Sequence, residues 1–337
     1  MKKEQIKKQE IFEEDLVREV LEDFKRRQYE RKNFETQWEL NMNFLMGNQY
    51  CCIGPSGEVE EYDKQFYWQE REVYNHIAPI IEARLARLLT LKPNMTVVPA
   101  SGDERDVKTA KLSKKIVNAV YNKLCVSGVI SEANNWSEVC GTSFYKVTWN
   151  PEKGTLLRED ESGKYFSGEV EVTVCPPFEI YPESSSCGDV GNCKSIIHAK
   201  AYHVDDIKKN WGVEVKGEDI NVFSLDNVSA IGSYGYFGNV GKVVSGVRSN
   251  YAIVIEKYES PSVDFPNGRL IIVAGDKLVH ISELPYINGN DGERGFPFIK
   301  QTCIDHPGCF WGSSVIERLI PIQRSFNTLK NRKHEFM

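Results

Sequence analysis

Between residues 5 and 46 the apolar positions Ile6, Phe12, Leu16, Val20, Phe24, Phe34, Trp38, Leu40, Phe44 and Leu45 recur mostly at helical spacing. The spacing predicts one long helix, closed by Gly47 and Asn48. Its first half interleaves both charge signs, so one face is solvated and carries ion pairs three and four residues apart. After a turn over Ile53 to Glu58 and an aromatic-rich stretch from Phe66 to Tyr74, a second helix runs from Asn75 through Leu85 and Leu89 to a stop at Pro93. Met95 to Pro99 reads as extended. A third helix covers Asp103 to Asn122, with Ala110, Leu112, Ile116, Val120 and Tyr121 as its apolar positions, and a fourth covers about Val129 to Cys140.

At Gly141 the period changes from 3.6 to 2. Phe144 to Trp149 and Gly168 to Val174 alternate, as half-buried strands do. Ser195 to His203, Tyr251 to Tyr258 and Phe298 to Cys303 are further strands, and a short helix lies at Val204 to Trp211. Asn267-Gly268 and Gly275-Asp276 sit between β-rich runs, which is a hairpin signal. The stretch 226–250 is rich in Gly, Ser and Asn and predicts a long mobile loop. Val315, Ile316, Leu319, Ile320, Ile322, Phe326 and Leu329 return to helical spacing behind a Ser314 cap, with Pro321 as an expected kink. No stop signal follows Leu329, which points to a helix truncated at Met337. The fold class expected is therefore α+β: a helical part over 1–140, a mostly antiparallel β part over 141–310, and the start of a long helix over 311–337.

Composition changes this picture little. A 41% hydrophobic and 27% charged chain of 337 residues has ample material for a core. A net charge of −6 gives no global field that would attract nucleic acid. No segment is apolar enough for a signal peptide or a membrane span. Nine scattered cysteines without a C-x-x-C pair suit a reducing compartment.

Catalytic signatures are weak. Gly232, Gly235 and Gly238 lack the strand-to-helix setting of a dinucleotide site, and Lys164 and Lys242, which each follow a glycine, lack the earlier glycine and the following Ser or Thr of a P-loop. Ser313 and Ser314 lack the second glycine of a nucleophile elbow. His76 and His198 have no partner visible in the sequence and read as packed or capping residues. Cys303, Asp305, His306 and Cys309 form the only compact metal-capable set, although their spacing is not that of a zinc knuckle. Cys303, His306 and Cys309 also mark the alternative function, a phage or bacterial hydrolase-like enzyme. The expectation is otherwise no enzyme and no cofactor.

Six spaced sets run in order along the chain. They are Trp38, Phe44, Gly47, Gln49 and Tyr50; Asn75, Ile77, Pro79, Ile80 and Ile81 followed by Pro93 to Pro99; and Asp103, Asp106 and Ala110. Next come Gly141, Lys146, Val147, Trp149 and Gly154; then Val174, Pro177, Glu179, Ile180, Tyr181 and Glu183; and last Pro307, Trp311, Gly312, Ser314, Glu317, Leu319, Gln323 and Asn327. In this order they resemble the motifs of the portal proteins of tailed bacteriophages, particularly the large podovirus-like branch. Tyr50 stands where the family usually has tryptophan, and Glu183 where it has aspartate.

The resemblance implies a wing and the beginning of a stem helix, assembled as a ring of twelve copies at one capsid vertex of the virion. It implies double-stranded DNA passing through without sequence readout during packaging and ejection. Terminase, scaffolding, capsid and head-completion proteins would be its partners, and no membrane. Assembly would take place in the bacterial cytoplasm. The motif positions Trp38, Gly47, Gln49, Asn75, Pro79, Gly141, Trp149, Pro177, Trp311, Gly312, Gln323 and Asn327 are its expected site residues.

Overall fold

The computed structural model describes residues 2–61, 68–69, 71–91, 95–160, 163–222, 225, 247–287 and 294–337. The helices are α1 (Lys2–Met46), α2 (Ile77–Thr90), α3 (Glu104–Lys123), α4 (Val126–Cys140), α5 (Val204–Trp211) and α6 (Val315–Glu335). Thirteen strands are described: β1 (Cys51–Ile53), β2 (Val59–Glu61), β3 (Thr142–Asn150), β4 (Leu156–Asp160), β5 (Gly163–Phe166), β6 (Glu169–Cys175), β7 (Ile180–Pro182), β8 (Ser195–His203), β9 (Glu218–Asn221), β10 (Val247–Glu259), β11 (Arg269–Ala274), β12 (Lys277–Ser282) and β13 (Phe298–Thr302). The fold is α+β, with a long helix at each end of the sequence.

Two sheets carry most of the β part, beside the two-stranded β1-β2 and β4-β5, and every pairing among the described strands is antiparallel. The larger has the order β12-β11-β10-β8-β7, with β9 also on β10; the smaller is β13-β3-β6. Alternation along β8 decides what faces what. Ile197, Ala199 and Ala201 join Leu16, Val17, Val20 and Phe24 of α1 in one core, so α1 covers one face of the larger sheet. Ile196 on the other face joins Phe144, Cys175 and Phe298 of the smaller sheet, so a second core fills the gap between the sheets. Trp38 of α1, Cys140 of α4 and the Phe310–Trp311 pair close this second core. A third core joins Leu40 and Phe44 of α1, Ile77 and Ile81 of α2, and Ile316 and Ile320 of α6. Residues of the helical, β-rich and terminal segments thus share cores.

Several sequence expectations take a different form. The Met95–Pro99 stretch, expected to be extended, joins no ladder among the described residues. The hairpin β4–β5 and the edge strand β9 are present without a clear alternating signal. Of the 226–250 loop, 247–250 are the start of β10, and 226–246, with Gly232, Gly235, Gly238 and Lys242, lie outside the described residues. Pro321 sits inside α6 without ending it. No helix among the described residues is long and apolar enough to cross a membrane.

Candidate functional site

Two polar constellations stand out inside the fold. The first is made of residues from the ordered motif sets. Asn75 ends the segment before α2, where its Oδ1 accepts from the Ile77 and Ala78 amides at 3.1 and 3.2 Å and its Nδ2 donates to the Leu45 carbonyl at 2.9 Å. It thereby caps α2 and ties it to the end of α1. Gln323, buried on α6, donates to the Tyr74 carbonyl at 2.6 Å and to Asn327 Oδ1 at 3.0 Å, and accepts from the His76 amide at 3.2 Å. Asn327 in turn donates to Gln49 Oε1 at 2.7 Å, across 278 sequence positions, and accepts from the Tyr74 amide at 3.2 Å. Gln49 donates to the Phe44 carbonyl at 3.1 Å. A buried amide must find partners or forfeit about 1–3 kcal/mol. Here the amides satisfy one another and the irregular chain at 74–76, and so fasten α6 to the ends of α1 and α2.

The remaining motif positions are packing nodes. Trp38 meets Trp311 and Phe178 edge-on, with ring centroids 5.0 and 5.1 Å apart. Gly141 ends α4 at φ +85° with its Cα against the Gly312 backbone, and a Cβ on either glycine would collide with the other's carbonyl oxygen. Gly47 closes α1 at φ +95°. Pro79 lies in the first turn of α2, where its missing N–H breaks no ladder bond. The Pro177 carbonyl accepts from Arg31 at 2.9 Å. Trp149 is half-exposed, and its ring fills the space a Cβ on Gly168 would need. Ser314 forms the full capping box with Glu317 at the start of α6.

The second constellation lies between the two sheets and was not visible in the sequence. His198 and Glu256 face each other across β8 and β10. His198 Nδ1 is 3.3 Å from Glu256 Oε2, and its Nε2 is 3.3 Å from Glu179 Oε2 and 3.8 Å from Cys175 Sγ. Lys146 of β3 pairs with Glu256 Oε2 at 2.5 Å, Tyr258 donates to the same oxygen at 2.7 Å, and Lys200 reaches Glu179 Oε1 at 3.3 Å. Cys175, Glu179 and His198 are all buried.

Burial raises the proton affinity of Glu256 and Glu179, but His198 and the lysines Lys146 and Lys200 outweigh it, so both carboxyls are held below the usual range. Burial and Lys146 push the His198 imidazolium down; Cys175 and Glu179 outweigh them and leave it raised well above the ordinary histidine value. Burial, with Glu256 beside it, pushes the Tyr258 phenol up. The cluster can therefore store a proton on His198 between two carboxylates, or hold a cation.

His198 reads as a packed residue from sequence because its partners come from four other elements. The available signal was the alternation of β8 and β10, which puts His198 and Lys200 on one side of β8 and Glu256 and Tyr258 on one side of β10; only the strand register sets all four on the same face of the sheet. The set Cys303, His306 and Cys309 is not gathered. His306 Nε2 lies 2.9 Å from Ser313 Oγ, and the Cys309 amide donates to the His306 carbonyl in a turn. Cys303 faces Arg84 and Glu138, and burial pushes its thiol up. Among the described residues, the one group of three metal-capable side chains whose ligand atoms converge is Cys175, Glu179 and His198. His76 packs edge-on against Phe326, and Asn75 does the capping at that helix start.

No protein-family model matches the chain, and no curated protein is significantly similar to it.

Proposed function

We propose that the chain is a structural subunit of a tailed-phage portal ring, part of the conduit through which double-stranded DNA is packaged and ejected. The observation that carries this reading is the convergence of the motif positions. Gln49, Gln323 and Asn327 belong to two motif sets at opposite ends of the chain and share one buried hydrogen-bond network, and Asn75, from a third set, caps α2 beside it. Trp38, Gly141, Trp311 and Gly312 belong to three sets and pack on one another. A list of chance matches would scatter over the fold; these residues support each other at the junction of α1, α2, α4 and α6.

Two further features fit. A conduit must release its cargo, and a net charge of −6 forgoes the counterion-release affinity of a basic channel. On α3, Leu112, Ile116 and Val120 lie one turn apart and are 60%, 53% and 40% exposed, an apolar stripe suited to a neighbouring copy. In this reading the ring has twelve copies, sits at a capsid vertex and docks terminase and head-completion proteins.

Negative-stain electron microscopy of the protein expressed from its complete reading frame tests the proposal. Rings with a central hole are the expected result. A protein that stays monomeric at micromolar concentration by mass photometry would overturn it.

A further inference from the structure

We propose that Cys175, Glu179 and His198 form a buried binding site for a divalent transition-metal ion, with zinc the best fit to the donor set. This goes beyond the portal reading and does not depend on it.

Geometry carries the proposal. A tetrahedral zinc with one sulfur and two lighter ligands, at about 2.3 and 2.0–2.1 Å, places those ligand atoms about 3.3–3.6 Å from each other. Here Nε2 of His198 is 3.3 Å from Glu179 Oε2 and 3.8 Å from Cys175 Sγ, and all three ligand atoms lie within 4.8 Å. The two separations from Nε2 are thus close to those of a loaded site, and the third ligand pair lies within 4.8 Å.

The surroundings are those of a supported metal ligand. A metal-bound imidazole commonly donates its other N–H to a carboxylate, which fixes the ring and its tautomer. Binding at Nε2 would place the ring hydrogen on Nδ1, which lies 3.3 Å from Glu256 Oε2 and 3.2 Å from Lys146 Nζ. Glu256 is itself fixed by Lys146 and Tyr258. Lys200 holds Glu179 through Oε1, leaving Oε2 for the ion. The Lys200 side chain beside Glu179 is 43% exposed, and water would be the fourth ligand.

A thiolate with an imidazole selects zinc or copper(I) over magnesium or calcium.

The test uses the reduced, metal-stripped, folded protein. Titration with zinc against a chromophoric chelator should show one equivalent bound, and no binding at equimolar zinc would overturn the proposal. X-ray absorption at the zinc edge should then show one sulfur among nitrogen and oxygen neighbours; no sulfur, or two or more, would overturn it. Glu179→Gln, isosteric with the wild type, should weaken zinc binding at least tenfold, and Glu256→Gln by about 10–100-fold through loss of ring positioning. Unchanged affinity in Glu179→Gln with an unchanged far-ultraviolet circular dichroism spectrum would also sink it.

Discussion

Asp23, on the inner face of α1, illustrates how single charged residues are held inside this fold. It accepts from Arg27 Nε and Nη2 at 3.0 and 2.7 Å and from Arg26 at 2.6 Å, and it pairs with Lys257 of β10 at 3.1 Å. Arg27 also donates to the Tyr181 and Ser195 carbonyls, and Arg31, one turn on, to those of Pro177, Phe178 and Ile180. These arginines donate to backbone carbonyls around β7, which explains why cations tolerate burial on a helix that reads as half solvated. Burial would raise the Asp23 proton affinity, but Arg27, Arg26 and Lys257 outweigh it and hold its carboxyl well below the ordinary value of about 3.9. A depressed folded pKa stabilises at every pH above that ordinary value and is lost as pH falls below it. Asp23→Asn should therefore cost about 1–3 kcal/mol at pH 7 and progressively less below about pH 4. Urea melts of both proteins at pH 7 and pH 3 check this; a deficit that stays constant with pH would refute the assignment.

At the scale of elements, the junctions are more informative than the helices and strands they join. α4 ends at Gly141, and the Gly141 carbonyl at once accepts from the Cys303 amide at 2.9 Å, while Thr142 Oγ1 accepts from the Gly312 amide at 2.8 Å. Two backbones thus pass at a distance that leaves no room for a side chain. Gly141→Ala should lose more than about 2 kcal/mol, combining left-handed strain with displacement of the 312–313 chain. Gly308→Ala is the matched comparison: its φ is +77°, but open space surrounds its Cα, so it should lose only the strain, about 1 kcal/mol. Equal losses in thermal melts would show that the close approach to Gly312 carries no weight. The α6 start behaves similarly. Ser314 caps the helix and also donates to the Glu138 carbonyl, so one hydroxyl sets both the α6 origin and its position against α4.

For the whole molecule, three cores meet along α1, and the apolar positions of the outlying helices are only partly used. α3 buries Ala110 alone among its described residues, although Leu112, Ile116 and Val120 have the spacing of a buried face. Exposed Ile322 and Leu329 on α6 show the same disparity. Replacing all three α3 positions by serine should leave the folded chain intact, since exposed substitutions usually move stability by less than about 0.5 kcal/mol each. If the stripe meets a neighbouring copy, the same variant should lower the fraction of rings seen by mass photometry. An undiminished ring fraction would remove α3 from the contact.

What the sequence determined by itself is local: the helices, the alternating strands, the Asn267-Gly268 and Gly275-Asp276 turns, and the Ser314 cap. Each depends on residues a few positions apart, whose spacing fixes period and termini. The α+β class followed from the order of these elements. The tertiary structure alone decided which faces are covered. Helical spacing marks an apolar stripe on α3 but does not say whether anything lies against it. The motif residues were legible as a list, yet their mutual contacts depend on chain separations as large as 278 positions. The His198 cluster was illegible for the same reason. Its members are single polar residues on four strands and a 3-10 turn, each ordinary in its own segment, and only sheet register and sheet stacking bring their charges within hydrogen-bonding distance.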